Sequence, residues 1–388
     1  MTPRLARPPQ RIGLAASFGF GDRTGRATRG HVGAIRAAPS RFVPVFAQQS
    51  PRELERTGRT FAEVLRAAAR GLEEAGWTEP WGADADHLRT EAEVRSAVDA
   101  GFTMLTLDPS AHVAEPPLEL ETAVHALPWS ALEDDWPSMR RRHAGAAAPL
   151  LARAAAQYGR AIVHIATLAR AADGADVDVE VSIDETMQPT SPFAHRFMVV
   201  ELRRLGVRFT SIAPRFAGQW QKAVEVRGDL NEIRRSIETH AAIARELGGY
   251  KLSVHSGSDK FSVYPLLAEA TDELHVKTSG TSYLEALRIV AMAEPDLFTE
   301  ILEVARERFR EDRLSYDLDD DAGIPDDVGD PLALLDRPRS RQALHVTFGS
   351  ILTHPALAPA FHATLDAHAL EYADVLERHL ARHLEPFA

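Results

Sequence analysis

Two histidines in this 388-residue chain occupy positions where they could bind a metal ion. His87 follows the strand-like run GADAD, and His255 follows the apolar run KLSV. Because the chain contains no cysteine, a metal would have to be held by His, Asp, Glu or amide side chains. Two histidines with carboxylates suit zinc, manganese or a similar divalent ion. The alternative is that each histidine only satisfies a backbone carbonyl.

Further polar side chains follow the other strand-like runs of the sequence. In a parallel barrel the carboxyl ends of all strands meet at one mouth, where reactive side chains lie. Burying many ionisable groups there is costly unless they are paired, so we expect mutual pairing or a bound metal. The predicted ring consists of Asp22, Gln48, Asp86, His87, Asp108, Asp184, Glu185, Arg215, His255, Lys260 and Lys277.

Three cations in this ring indicate an anionic substrate. They are Arg215, Lys260 and Lys277. An arginine can grip a carboxylate through two parallel hydrogen bonds, which an ammonium group cannot reproduce. The alternative is that the three cations only balance the acidic residues of the ring.

The elements that must position these residues are strands alternating with helices. Strand-like runs lie near residues 12–17, 42–46, 82–86, 102–107, 176–183, 209–213, 250–254 and 274–276, with helical periodicity between most of them. Such alternation predicts a parallel α/β sheet, and eight strands are the number of a closed (β/α)8 TIM barrel. We therefore predict one TIM-barrel domain over residues 1–388, with the barrel at roughly 11–290 and a helical C-terminal extension at roughly 291–388.

Several segments fit this scheme less simply. Residues 345–350, HVTFGS, form a ninth strand candidate, so one of the nine is wrong or peripheral. The glycine-rich run after residue 17 lacks dinucleotide-binding spacing and is interpreted as a loop. The acidic segment 317–330 is interpreted as a solvated linker because it lacks the ligand order of a calcium loop. Four histidines of the C-terminal tail are interpreted as surface or packing residues, namely His362, His368, His379 and His383.

Composition excludes several classes of function. The formal charge of −12 would repel a phosphate backbone, and no basic stripe offsets it, so we expect no nucleic-acid partner. No apolar run is long enough to span a bilayer, and the N-terminus lacks the apolar core of a signal peptide. We therefore predict a cytoplasmic protein with no membrane partner, and the sequence leaves a homo-oligomer open.

Long segments of the chain resemble the tagaturonate/fructuronate epimerases of hexuronate catabolism. The matching segments are FGFGDRTGRATRGH, GADADHLRT, FTMLTLDPS, SIDETMQPTSPFAH, SIAPRFAG, GGYKLSVHSGSDKFSVYP, LHVKTSGTSYLEALR and LHVTFGS. The resemblance implies a metal-dependent TIM barrel that interconverts two keto-hexuronates differing at one hydroxyl-bearing carbon. It also implies that His87 and His255 bind the metal, that Asp86 is a general base, and that Asp184 and Glu185 supply the opposite acid.

The sequence departs from this family at one position of the expected metal site. The segment GQWQKAVEV has Gln221 where the family has a glutamate before the lysine. The third ligand of a Mn, Zn, Co or Ni ion would then be Gln221 or Glu185. The other polar residues of the ring, Asp22, Gln48 and Asp108, are expected to bind substrate with the three cations.

Three functions remain to be distinguished. The first is an epimerase, and because the inverted carbon is β to the ketone, breaking and remaking a C–C bond by retro-aldol chemistry is easier than removing its C–H proton. The second is a metal-dependent aldolase, a ketose isomerase or a 4-epimerase acting on a related sugar. The third is a sugar-acid-binding barrel without catalysis. Incubation with tagaturonate separates them by product.

Overall fold

The chain folds into a closed barrel of eight parallel strands. The computed structural model describes residues 7–38, 41–115, 119–316 and 318–388. Neighbouring strands pair in chain order, and the last strand pairs with the first, which confirms the predicted TIM barrel. The strands are β1 Ser17–Gly21, β2 Val43–Gln49, β3 Gly82–Leu88, β4 Met104–Leu107, β5 Asp178–Ile183, β6 Ser211–Pro214, β7 Lys251–Val254 and β8 Leu274–Thr278.

Helices surround the barrel and continue beyond its last strand. Among the described residues, ten α-helices precede β8: α1 Thr28–Ala37, α2 Pro51–Thr57, α3 Phe61–Glu74, α4 Glu91–Ala100, α5 Leu120–His125, α6 Trp136–Arg142, α7 Ala148–Ala171, α8 Pro192–Arg204, α9 Leu230–Leu247 and α10 Tyr264–Ala270. In the described part after β8 there are seven: α11 Thr281–Ala293, α12 Pro295–Asp312, α13 Pro331–Asp336, α14 Pro338–Val346, α15 Phe348–Leu352, α16 Leu357–Ala367 and α17 Ala369–Leu384. The predicted helical C-terminal region is therefore present. None of the described helices is both long and apolar enough to cross a membrane.

The interior of the barrel is unusually polar. Side chains alternate between the two faces of a strand, so in β5 the apolar Val179, Val181 and Ile183 join the hydrophobic core. Glu180 and Ser182 then share the opposite face and are fully buried. A buried layer of charged residues at this depth can position ligands above it, because each charge must be held by a specific partner.

The first strand begins later than predicted, at Ser17 rather than at residue 12. Gly19 and Gly21 therefore lie inside β1 and not in a loop. A Cβ atom at Gly19 would lie 1.7 Å from Oε1 of Gln48. Glycine is needed here because a neighbouring side chain crosses closely over the strand, and not because the chain turns.

The ninth strand candidate is wrong. Residues 345–350 are mostly helical and belong to the end of α14 and to α15. Most of this segment is fully buried, so it has no alternation of apolar and polar residues that would distinguish a strand from a helix in the sequence.

The acidic segment is partly described. Asp317 lies outside the described residues, and Asp319 is buried, with its Oδ1 2.6 Å from Nη1 of Arg227. Within the described part, this segment contributes to neither group of residues that could hold a metal ion.

Candidate active site

A cavity of about 440 Å³ opens at the carboxyl ends of the strands, within the size range of small-molecule sites. It lies between the loop after β5 and the loops after β6 and β7. Residues predicted to act in catalysis or binding line it together with residues that were not predicted. The lining residues used below are His87, Arg89, Asp184, Glu185, Arg215, Gln221, Lys222, His255 and Ser256.

Three of these residues form a group that could hold a metal ion. One ligand atom from each of His87, Asp184 and His255 lies within 4.8 Å of the others. Nδ1 of His255 is 3.0 Å from Oδ1 of Asp184, yet it is buried and forms no hydrogen bond. A buried nitrogen without a hydrogen bond beside a carboxylate oxygen fits a site whose remaining partner is a cation.

Each imidazole of this group faces a second carboxylate on its other side. Nε2 of His255 donates to Oε1 of Glu180 at 2.7 Å, and Nδ1 of His87 lies 2.8 Å from Oδ1 of Asp86. The ring nitrogens that are left to bind a metal ion are Nδ1 of His255 and Nε2 of His87. This carboxylate–histidine arrangement fixes the tautomer and orientation of metal-binding histidines.

The surrounding carboxylates shift the pKa of both imidazoles. Burial opposes the charged form, but the charge of Asp184 outweighs it and raises the pKa of His255 to about 10. Burial likewise opposes the charge of His87, and Asp86 raises the pKa of that ring on balance. The same negative potential that retains protons on these rings would attract a divalent cation in their place.

Beneath this group Lys277 holds three carboxylates together. Its Nζ lies 2.8 Å from Oδ2 of Asp84, 2.7 Å from Oδ1 of Asp86 and 2.8 Å from Oε1 of Glu180, and it also donates to Thr106. Burial raises the pKa of Asp84 to about 6, whereas Glu180 has a pKa well below its usual value because the charge of Lys277 outweighs burial. Lys277 therefore balances the acidic residues, as the alternative interpretation of the predicted cations stated.

The carboxylate of Glu185 lies on the rim of the cavity. It is exposed, and its Oε1 is 3.8 Å from Nε2 of His87. Arg89 links it to Asp108, because the guanidinium lies 2.9 Å from Glu185 and 2.6 Å from Asp108. Asp108 is buried behind this arginine and also accepts from the backbone N–H of Ser110. Asp108 is thus placed to orient Arg89.

Lys222 and Arg215 also line the cavity. Nζ of Lys222 donates to Oγ of Ser256 at 2.7 Å, and burial, followed by the charge of Arg52, lowers the pKa of Lys222. Arg215 follows β6 and lines the same cavity. Among the described residues no carboxylate lies within ion-pair distance of either Arg215 or Lys222.

The backbone takes left-handed conformations, rare for non-glycine residues, at two residues that line the cavity and at two more in the loops that carry Lys222 and Ser256. The φ angles are +56° at His87, +61° at Ala223, +53° at Ser256 and +57° at Asp259. Such conformations cost free energy and persist where the surrounding structure imposes them, often at functional sites.

Four predicted site residues have at least one polar group held by a hydrogen bond within the protein. Asp22 accepts from the backbone N–H groups of residues 24, 25 and 27 and so shapes the turn into α1. Gln48 donates to the carbonyl of Thr278 at 3.0 Å. The ammonium of Lys260 donates to three backbone carbonyls, and burial lowers its pKa to about 7. Gln221 does line the cavity, but its Oε1 accepts from Gln342 at 3.1 Å.

Two tail histidines have an acidic partner that the sequence did not reveal. Nε2 of His379 lies 2.7 Å from Oδ1 of Asp259, and Nε2 of His383 accepts from the backbone N–H of Asp259 at 3.0 Å. These residues form the second group that could hold a metal ion. However, Arg341 already lies 2.9 Å from Oδ2 of Asp259, so the group is a hydrogen-bonded ion-pair network that docks α17 on the loop after β7.

The prediction from sequence missed Glu180, Asp84 and Lys222. For Glu180 a signal existed, because acidic and polar residues alternate with apolar ones along DVDVEVSID and therefore share one face of β5. Asp84 shares a face with Asp86 by the same rule. Lys222 had no such signal, since it lies in the loop after β6, well beyond the end of that strand.

Comparisons with known proteins agree with this geometry. The family described as UxaE, tagaturonate epimerase, matches residues 4–387. A tagaturonate/fructuronate epimerase of Thermotoga maritima is 42% identical over 396 residues, covering 97% of this chain and 82% of that protein. The native crystal structure of fructuronate-tagaturonate epimerase UxaE from Cohnella laeviribosi has a TM-score of 0.89 at 36% identity, over 98% of this chain and 83% of that one. A probable tagatose 6 phosphate kinase from Sinorhizobium meliloti shares only the fold, with a TM-score of 0.55 at 15% identity over 97% of each chain.

Proposed function

The chain belongs to the tagaturonate epimerase family, an isomerase-class family of enzymes, and from this we propose that it interconverts D-tagaturonate and D-fructuronate with a divalent metal ion. The observation that carries the proposal is the group of His87, Asp184 and His255 on the wall of the cavity. In such a site the protein must bind a linear ketose acid, hold its ketone, and exchange the proton of the hydroxyl group at the inverted carbon.

The proposed metal site uses the nitrogens that face away from the supporting carboxylates. His87 would contribute Nε2, His255 would contribute Nδ1, and Asp184 would contribute Oδ1, with Mn, Zn, Co or Ni as the ion. Asp184 then replaces Gln221 as the proposed third ligand, because the amide of Gln221 is directed to Gln342. When bound, the ion would polarise the ketone and stabilise negative charge on its oxygen.

Two carboxylates remain for proton transfer. Glu185 lines the cavity and is exposed, so we propose it as a group that exchanges the hydroxyl proton. Asp86, predicted from the sequence as the general base, lies behind His87 and contacts Lys277. We therefore propose that Asp86 acts first by orienting His87, and a direct role as base requires that its contact with His87 opens.

The epimerisation itself is proposed to proceed through the C–C bond beside the inverted carbon. Carbons are numbered from the hydroxymethyl end, so that the ketone is C2 and the inverted carbon is C4. A base accepts the proton of the C4 hydroxyl, the C3–C4 bond breaks, and its electron pair is delocalised onto the ketone oxygen. The C4 aldehyde turns its other face, the bond forms again, and the proton returns to the new hydroxyl group. The C4–H bond is never broken.

The test is the product formed from D-tagaturonate with and without a chelator, and with site variants. We expect D-fructuronate in the presence of metal, none after chelation, and recovery when Mn, Zn, Co or Ni is added back. His255→Ala should lose bound metal, whereas His112→Ala, at an exposed histidine outside the group, should keep it. Glu185→Gln should keep the metal and lower kcat by about 100- to 10,000-fold.

Three results would contradict the proposal. Full turnover by metal-free protein would exclude the metal site, and wild-type turnover by Glu185→Gln would exclude its acid–base role. Retention of metal in His255→Ala would show that the three residues do not form the binding site.

A further inference from the structure

Lysine is scarce in this protein. Only four of the 44 basic residues are lysines, and all four lie within the described residues. Three of them are buried, and protein oxygens surround each ammonium group. Lys260 donates to three carbonyls, Lys277 contacts three carboxylates, and Lys251 donates to the carbonyl of Ala15 at 2.6 Å and to Oγ of Ser17 at 2.9 Å.

Lys222 differs from the other three. It is half-buried, it lines the cavity, and its one hydrogen bond among the described residues is the 2.7 Å contact from Nζ to Oγ of Ser256. An ammonium group has three N–H donors, so two remain for a ligand. In the part of the chain that the structure describes, no carboxylate lies within ion-pair distance of it.

The segment that carries Lys222 is held in place on both sides. The carbonyl of Gln221 accepts from Lys260 at 2.9 Å, and the carbonyl of Ala223 accepts from Arg341 at 3.1 Å. Ser256, the partner of the ammonium, directly follows His255 in the chain. The position of the ammonium group is therefore tied to that of the metal group, by which we mean His87, Asp184 and His255.

The other cations of the cavity are less suited to bind a carboxylate alone. Arg89 is already paired with Asp108 and Glu185. Arg52 lies over the ring of Tyr316, 4.7 Å from its centroid. Arg215 lines the same cavity as Lys222 and is a second cation available to the same ligand.

We propose that Lys222 binds the carboxylate of the substrate and so sets the preference of the enzyme for hexuronates over neutral ketoses. The assignment rests on the function proposed above. A keto-hexuronate has its ketone and its carboxylate near opposite ends of a six-carbon chain. A metal ion bound by His87, Asp184 and His255 would hold the ketone, and the carboxylate would lie against the ammonium of Lys222.

The first test measures binding by calorimetry with metal-loaded protein. Lys222→Met should weaken binding of the tagaturonate/fructuronate equilibrium mixture by about 10- to 150-fold, the range for a charge-assisted hydrogen bond. It should leave the binding of D-tagatose and the bound metal unchanged. The control is Lys251→Met, which removes a lysine at the start of β7 that does not line the cavity and should leave both affinities unchanged. Equal weakening for both sugars, or none for the uronates, would overturn the proposal.

The second test does not depend on turnover. Reductive methylation followed by peptide mapping should label Lys222 before the three buried lysines. The hexuronate mixture should protect Lys222, and D-tagatose at the same concentration should not. Equal protection by both sugars would overturn the assignment. If wild-type protein fails to convert tagaturonate but hexuronate still protects Lys222, the proposed function fails while the carboxylate site stands.

Discussion

At the scale of single residues, the candidate site is a balance of buried charges. His87 and His255 each have one nitrogen beside a supporting carboxylate and one directed to the metal group. Lys277 neutralises part of the negative charge beneath them. Because each buried charge depends on its partners, removal of one partner should cost more than the pair itself contributes.

Lys277→Met should therefore destabilise the metal-free protein strongly. The change leaves Asp84, Asp86 and Glu180 without their shared cation, and we expect the free energy of unfolding to fall by about 3 to 5 kcal/mol. Without that cation the carboxylates have higher pKa values in the folded state than in the unfolded state. Folded protein then binds more protons as the pH falls, so the deficit should be smaller at pH 5 than at pH 8 in urea titrations.

Lys251→Met is the matched control for this prediction. Its ammonium group bonds to a carbonyl and a hydroxyl and has no carboxylate within ion-pair distance among the described residues. The Lys251→Met variant should have a lower free energy of unfolding than the wild type, and this deficit should not become smaller at pH 5. A pH-independent deficit in Lys277→Met would show that charge repulsion is not the cause.

The sequence predicted which residues reach the barrel mouth better than what they do there. Strand ends brought His87, Asp184 and His255 together, because parallel strands present their carboxyl ends at one rim. Lys260 also follows a strand, but its long side chain folds back onto backbone carbonyls. Sequence position fixes where a Cα lies, whereas the direction of a flexible side chain depends on neighbours that are distant in sequence.

At the scale of elements, a row of hydrogen bonds connects α8, α9 and Tyr250, the residue before β7, to the loop after β5. Nε2 of His240 donates to the carbonyl of Thr190 at 3.1 Å, so its Nδ1 is an acceptor. Nδ1 of His195 donates to it at 2.9 Å, and Nε2 of His195 accepts from Tyr250 at 2.9 Å. This order requires both imidazoles to be neutral. The backbone N–H of Thr190 also donates to the carbonyl of Arg215 at 2.9 Å, and the backbone N–H of Arg215 donates to Oγ1 of Thr190 at 3.0 Å. These two bonds link the hydrogen-bonded histidines to Arg215, which lines the cavity.

From these hydrogen bonds we predict that the free energy of unfolding of the protein falls in mild acid. Burial lowers the pKa of His240 to about 4, below its usual value of about 6.5. Between these values the unfolded state binds a proton that the folded state does not, so stability falls as the pH falls. From pH 7.5 to pH 5 the loss from this residue should be about 2 kcal/mol.

His240→Gln provides the comparison. Glutamine can accept from His195 and donate to Thr190 without titrating, so the variant should show a smaller loss of unfolding free energy between pH 7.5 and pH 5. Other buried histidines with lowered pKa values, such as His31 and His275, remain in both proteins and cancel. Identical pH dependence in the two proteins would exclude this contribution.

Prediction of the elements failed where packing, not periodicity, determines the structure. Glycines predicted a loop before α1, but Gly19 lies in β1. Glycine is needed there because Gln48 occupies the space that a Cβ atom would take. HVTFGS predicted a strand, but it lies in α14 and α15 and is almost entirely buried. A segment buried on all sides carries no amphipathic pattern that would reveal its conformation.

At the scale of the whole molecule, the proposed chemistry requires the cavity to let the aldehyde fragment rotate and also to retain it. In this proposal a metal ion bound by His87, Asp184 and His255 would hold the ketone fragment after the C3–C4 bond breaks, whereas the aldehyde fragment would have no covalent attachment. The aldehyde must turn its other face without leaving. Lys222 lines the same cavity as Glu185, and we expect its ammonium group to hold the carboxylate of that fragment while the C4 carbonyl rotates.

The last prediction is that Lys222→Met turns the epimerase partly into an aldolase. Without the ammonium group the aldehyde fragment should escape during turnover of D-tagaturonate, leaving dihydroxyacetone after the C3 position takes a proton from water. In deuterated water the released dihydroxyacetone should carry one deuterium at that carbon, and the epimer that still forms should carry none at C4. Aldehyde trapping and NMR measure both, with Lys251→Met as the control that releases no fragments. Stoichiometric deuterium at C4 would show that the C–H bond breaks instead. Epimerisation by Lys222→Met without any released fragment would show that Lys222 does not retain the aldehyde.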